Sequence, residues 1–178
     1  SPASGTALQI GDSGDTITIP SGATITNSGT ANGFGGGKIG QVISASTTTQ
    51  SASSSSTFAD VTSLSVAITP SASSSKVLIT VFCNGVGKEN NNAYMGLRLL
   101  RGSTNIALID HLVGLNDGSA ANYIGTTGIM YLDSPSTTSA TTYKMQFNSE
   151  ANNATVYINR PNSSNVATST ITVMEVLA

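Results

Sequence analysis

"FADVTSLSVAITPSASSSKVLITVFC", Phe58 to Cys83, decides the fold. It sets two apolar runs on either side of a Pro/Ser turn. In the first, Leu64, Val66 and Ile68 alternate with small residues. Period-two alternation places them on one face of a half-buried strand. The second run is apolar on both faces. Val77, Ile79, Val81 and Cys83 share one side, and Leu78 and Phe82 share the other. A strand with two apolar faces is central in a sandwich or is covered by a partner.

The same period recurs along the chain. Lys38–Ser44 reads as a strand, and "AYMGLRLLR" puts Ala93, Met95, Leu97 and Leu99 on one side. "RGSTN" turns that run into "IALID", a hairpin signal. "YIGTTGIMYLD", "TTYKMQFNS", "ATVYIN" and "STITVMEVL" follow, separated by Gly-, Asn-, Ser- and Pro-rich turns. No stretch has helical periodicity. Eight to ten short strands predict an all-β chain, with a jelly-roll-like β-sandwich head over residues 38–178. Residues 1–37 read as a shaft segment and Gly-rich hinge, the hinge glycines being those of "NGFGGG" at 32–37.

The shaft reading rests on a repeat. "SGDTITIPSGATITNSG", Ser13 to Gly29, states one unit twice: a Ser-Gly turn, then a short polar/apolar alternation. Ile17, Ile19 and Ile25 gain a face but no cover, and a two-stranded ribbon is marginal alone in water. Two arrangements cover them. The segment docks back on the head, or three chains share an axis as a triangular β-prism or β-helical shaft with the isoleucines as its core. Short units that bury apolar faces only through neighbours favour the second.

Composition narrows function. Of 178 residues only 9% are charged and 38% are hydrophobic; net charge is −2. The seven Lys and Arg are scattered, so the cation cluster that nucleic-acid binding needs is missing. No window approaches the roughly 20 apolar residues of a membrane-spanning helix, so no membrane insertion is expected. No signal peptide is visible. "SPASG" reads as linker, so the chain is expected to be the C-terminal piece of something longer. Cys83, the sole cysteine, lies in an apolar run and reads as a small buried hydrophobe.

Catalytic signals are poor, and no enzyme, cofactor or metal site is expected. His111 is the sole histidine, so one chain offers no two-His metal site. A trimer could gather three His111 side chains on its axis, but a hydrogen-bonded strand-end histidine is the simpler reading. Asp110 and His111 are adjacent, and strand neighbours point to opposite faces. "GFGGGK" fails as a phosphate loop because Ile39 follows Gly37-Lys38. Asp12 and Asp15 in "DSGD" lack the spacing of a calcium loop. The glycosylation-type triplets at Asn153 and Asn162 mark only exposed loops. Glu175 shares a face with Ile171, Val173 and Leu177. If buried it needs partners, for which Arg98 and Arg101 are candidates; otherwise it lies at an exposed strand end. Recognition would then fall to loops displayed by a rigid sheet. Asn90, Asn91, Asn92, Asn116, Asp117, Asn152 and Asn153 carry amides and a carboxylate suited to sugar hydroxyls. The five tyrosines could stack on sugar rings, though most read as core or interface.

The whole chain resembles the C-terminal part of a bacteriophage tail fibre, most closely those of marine phages such as cyanophages. The resemblance is carried by "GDTITIPSGATITNSGT", "GFGGGKIGQV", "STFADVTSLSVAITPSASSSKVLITV", "RGSTNIALID" and "STITVMEV". It implies a homotrimer with a β-sandwich head, joined to the rest of the virion tail. It also implies a distal, extracellular, non-enzymatic role as an adhesin in host attachment. The receptor would be a host-surface glycan or protein. The resemblance transfers no binding residues, because tip loops vary freely in that family. The alternative is a purely structural virion fibre or capsid decoration protein without receptor binding.

Overall fold

The computed structural model describes residues 13–14, 16, 18–24, 26, 38–90, 93–113, 123–150, 154–161 and 164–177. The chain divides into two compact units, Ser1–Gly35 and Gly36–Ala178. In the first, the repeated Ser-Gly pairs are turns at Ser13–Gly14 and Ser21–Gly22. Ala23 N donates to Pro20 O at 3.1 Å, and Gly22 has φ +86°. That is a type II turn, with proline first and glycine in the left-handed position. Ile19 is 46% exposed within the single chain. Ile17 and Ile25 lie outside the described residues.

The second unit is all β. Its strands are β1 (Ile39–Thr47), β2 (Ser51–Ser53), β3 (Ala59–Ile68), β4 (Lys76–Lys88), β5 (Met95–Arg101), β6 (Thr104–Val113), β7 (Tyr123–Asp133), β8 (Thr141–Ser149), β9 (Val156–Ile158) and β10 (Ser169–Val176). They form two antiparallel sheets that share one core, as in a β-sandwich. The smaller has the order β3-β8-β5-β6. The larger runs β1-β10-β4-β9-β2, with β7 on the other side of β4.

Register explains the larger sheet. β4 meets β10 along Lys76–Phe82 and meets β9 only at Gly87 and Lys88. β1 meets β10 up to Thr47↔Ser169, and β2 meets β9 from Ser51↔Ile158. So β1 and β2 form one interrupted strand, and β9 and β10 form another. Asn159 sits at the joint, fully buried, at φ +57°. Its Nδ2 donates to Thr47 O and Thr49 O, both at 3.1 Å, and its Oδ1 accepts from Ser169 Oγ at 2.6 Å. Asparagine tolerates the left-handed backbone, and here its side chain replaces the ladder bonds that the break removes.

Alternation builds the core. Val77, Ile79, Val81 and Cys83 face Met95, Leu97 and Leu99, with Tyr143, Met145 and Phe147 beside them; all are buried. Burial pushes the Cys83 thiol up to about 12, as expected of an inert packed thiol. Ser63 departs from simple alternation. It has φ +60° within a register shift between Asp60 and Ser65, so Val61 and Leu64, three apart, both turn inward. One polar group ties the sheets together. Tyr143 Oη donates to Asp133 Oδ2 at 2.7 Å, and Arg101 Nη1 reaches both Asp133 oxygens at 2.9 Å. Burial first, then the Asp133 carboxylate, pushes the Tyr143 phenol upward.

The arginines are therefore not the partners of Glu175. Arg101 serves Asp133, while Arg98 binds Gln146 Oε1 at 2.6 Å and stacks 4.0 Å from the Phe58 ring centre. Glu175 is buried and takes neutral donors instead. Ser71 N and Ser71 Oγ both donate to Oε1 at 2.6 Å, and Gln41 Nε2 donates to Oε2 at 2.9 Å. The charge neutralisation expected from the sequence is replaced by direct hydrogen bonding of the anion, which also satisfies a buried carboxylate.

Candidate functional site

Strand direction gives the sandwich two ends. At one end Leu177 N donates to Lys38 O at 2.8 Å, and Lys76 pairs with Val176. The connections 69–75, 102–103 and 134–140 lie at that same end. At the other end β2, β4, β6 and β8 finish. Met95 is paired with both Val113 and Ser149, and Lys88 with Val156. The strand ends that carry the three sequence-nominated loops therefore meet at the end opposite Lys38.

Hydrogen bonds stitch this end. Glu89 N donates to Thr155 O at 2.9 Å, and Thr155 N returns a bond to Glu89 Oε2 at 3.1 Å. Glu150 N donates to Tyr94 O at 3.0 Å, and Ser149 N donates to Ser55 O at 2.9 Å. Ser149 Oγ closes onto Ala154 O at 2.7 Å. The result is a fixed rim from which side chains project. Hydrogen bonds from Thr155 hold the Glu89 carboxyl below its ordinary range, and Arg160 adds to this.

Two features of the rim escape a reading of the sequence. His111 Nδ1 lies 3.0 Å from Glu150 Oε1, pairing an exposed imidazole with a mostly covered carboxylate. The two residues are 39 positions apart, and only the placement of β5 between β6 and β8 brings them together. Asn148 and Glu150 also close over Gly96. A Cβ there would collide with Asn148 Oδ1 and would lie 3.2 Å from Phe58 Cζ. Asn148 Nδ2 meanwhile donates to Ser56 O at 2.9 Å. Glycine at 96 is what lets the rim close on the sheet.

Asn90 is exposed at this end. Asn91, Asn92, Asn116, Asp117, Asn152 and Asn153 lie outside the described residues. Tyr143 is core, Tyr131 packs against the core, and Tyr157 lies under the Arg160 guanidinium at 4.4 Å. Tyr94 stays half-buried at the rim. Among the described residues there is no group of three or more His, Cys, Asp or Glu that could hold a metal ion. Also among them, no helix is long and apolar enough to cross a membrane.

The outward faces of the two sheets differ in chemistry. On the smaller sheet Lys144 Nζ binds Asp60 Oδ2 at 2.9 Å, and Gln146 Nε2 binds Asp60 Oδ1 at 2.7 Å. Arg98 completes that polar network. On the larger sheet, Val42, Phe82, Met130 and Leu132 are exposed.

No family model matches the chain, and no curated protein matches it.

Proposed function

We propose that the chain is the shaft-and-head portion of a trimeric phage tail-fibre tip that attaches to a host-surface glycan or protein without catalysis. The resemblance in "GDTITIPSGATITNSGT" and the head segments motivates the reading. The observation that carries it is the separation of the two ends of the head. The chain enters the sandwich at Lys38, and the connections holding Asn90–Asn92, Asn116–Asp117 and Asn152–Asn153 leave from strands that finish at the opposite end. A stitched rim from which polar loops leave suits recognition.

The head is proposed to be a jelly roll. With β1/β2 and β9/β10 each taken as one strand, the sheets read first-eighth-third-sixth and second-seventh-fourth-fifth, which supports that winding. The shaft is proposed to be a trimeric prism with Ile17, Ile19 and Ile25 inside, and the exposure of Ile19 in the single chain supports this. Three weak sites on one particle would then act through effective concentration.

The test is competition. Purified chain, labelled and mixed with marine cyanobacterial cells, is expected to bind them and to block adsorption of a phage carrying this fibre. Replacing Asn90, Asn91 and Asn92 together with alanine is expected to reduce binding by about tenfold or more. Full binding by that variant would remove this loop from the site, and no binding by the wild type would remove the receptor role. Shortened host polysaccharide after incubation would point to an enzyme instead.

A further inference from the structure

We propose that the rim binds a divalent metal ion through His111, Glu150 and Asn148, over the backbone of Gly96. The site goes beyond the attachment reading and stands without it.

Three observations converge on one spot. Asn148 lies opposite Gly96 in the ladder between β5 and β8. Its Nδ2 is used, donating to Ser56 O at 2.9 Å. Its Oδ1 is sealed from solvent and accepts no hydrogen bond among the described residues. Asn148 is only 2% exposed, and a buried carbonyl oxygen left without a donor is costly. This Oδ1 and Glu150 Oε1 crowd the same point, the place a Cβ would take on residue 96. An amide oxygen and a carboxylate oxygen both only accept, so neither satisfies the other. Two acceptors held side by side call for positive charge between them. His111 Nδ1 completes the set, 3.0 Å from the same Glu150 Oε1.

The spacing and the donor types name the ligand. Two atoms held about 2.1 Å from an ion at right angles stand about 3.0 Å apart, so the His111–Glu150 separation suits a shared metal as well as a hydrogen bond. One imidazole and two oxygens, with no thiolate, fit a borderline ion such as Zn²⁺ or Mn²⁺. Ca²⁺ fits less well, since it takes about six to eight oxygens. The His111 side chain is 54% exposed, which gives the ion a path from water and leaves open coordination positions on that side. Gly96 belongs to the site, because any side chain there would fill the space beside both oxygens. The ligands come from β6, from β8 and from the residue that follows β8, with β5 between them. Only two of the three are His, Cys, Asp or Glu, so no cluster of those types marks the place.

The test uses the untagged full chain and the metal alone. Titration calorimetry at neutral pH is expected to show one ion per chain, with Zn²⁺ bound more tightly than Mn²⁺ and Ca²⁺ weakest. His111→Ala and Glu150→Gln should each weaken Zn²⁺ binding by more than the roughly 10–100-fold that follows loss of a supporting partner. Asn148→Asp keeps the shape and adds a charge, and should tighten binding by about tenfold. A second measurement needs no variant. In nuclear magnetic resonance spectra of the wild type, Zn²⁺ should shift the Asn148 side-chain amide together with the single imidazole, and Mn²⁺ should broaden both. Zn²⁺ that shifts the imidazole and leaves the Asn148 amide unmoved would reduce the site to a surface histidine and overturn the proposal. Undiminished binding by Glu150→Gln, or no binding of any of the three ions at millimolar concentration, would overturn it as well.

Discussion

Glu175→Gln keeps the shape of a buried side chain and removes its charge. Burial alone would push the Glu175 carboxyl up, but hydrogen bonds led by those from Ser71 outweigh it and hold the pKa at about 2, against an ordinary 4.5. A gap of roughly 2.5 units corresponds to about 3.4 kcal/mol. The donor Ser71 is exposed and Gln41 half-buried, so screening reduces the working figure to about 2 kcal/mol. The folded pKa is depressed, so this stabilisation is fully present above pH 4.5 and is lost as pH falls through about 2. Calorimetry at pH 7 is expected to show the variant melting about 6 °C below wild type. The difference should shrink between pH 4.5 and pH 2 and vanish below that. Equal melting temperatures at pH 7, or a deficit that does not change with pH, would refute the reasoning.

Other changes test other joints. Asn159→Gly removes three side-chain hydrogen bonds, two of them buried, and keeps the backbone, at a cost of about 2–4 kcal/mol in urea unfolding. Asn159→Ala should cost about 1 kcal/mol more, because φ is +57° there; equal costs would deny the strain. Tyr143→Phe leaves Asp133 with Arg101 alone and should cost about 1–2 kcal/mol, with the sheets still paired. Gly96→Ala should displace Asn148 and Glu150, costing about 1–3 kcal/mol and shifting the His111 imidazole resonances. Unmoved His111 signals would show that the rim does not depend on glycine at that position.

Alternation carried most of the fold. Met95, Leu97 and Leu99 are inward as their spacing predicts, and "TTYKMQFNS" coincides with β8. The hairpin read at "RGSTN" closes with Arg101 opposite Thr104 and Gly102 at φ +58°. Local rules failed where the backbone departs from regularity. Nothing in "ADVTSL" announces the left-handed Ser63 that turns both Val61 and Leu64 inward. The strand from Val156 to Val176 is cut by its own excursion at 160–168, and only pairing with β4 shows that both pieces share one line. Charge logic nominated arginines for Glu175, whereas the turn at Ser71 was the nearer source of donors. Of the candidate site, the sequence marked polar loops one by one. Their common end depends on strand order, which no local pattern encodes.

The solution mass of the full chain bears most directly on a trimeric attachment tip. Light scattering at micromolar concentration should give about 54 kDa, three times the 18.0 kDa of one chain. A particle of 18.0 kDa would contradict it, leaving Ile19 without cover and the loops without multivalency.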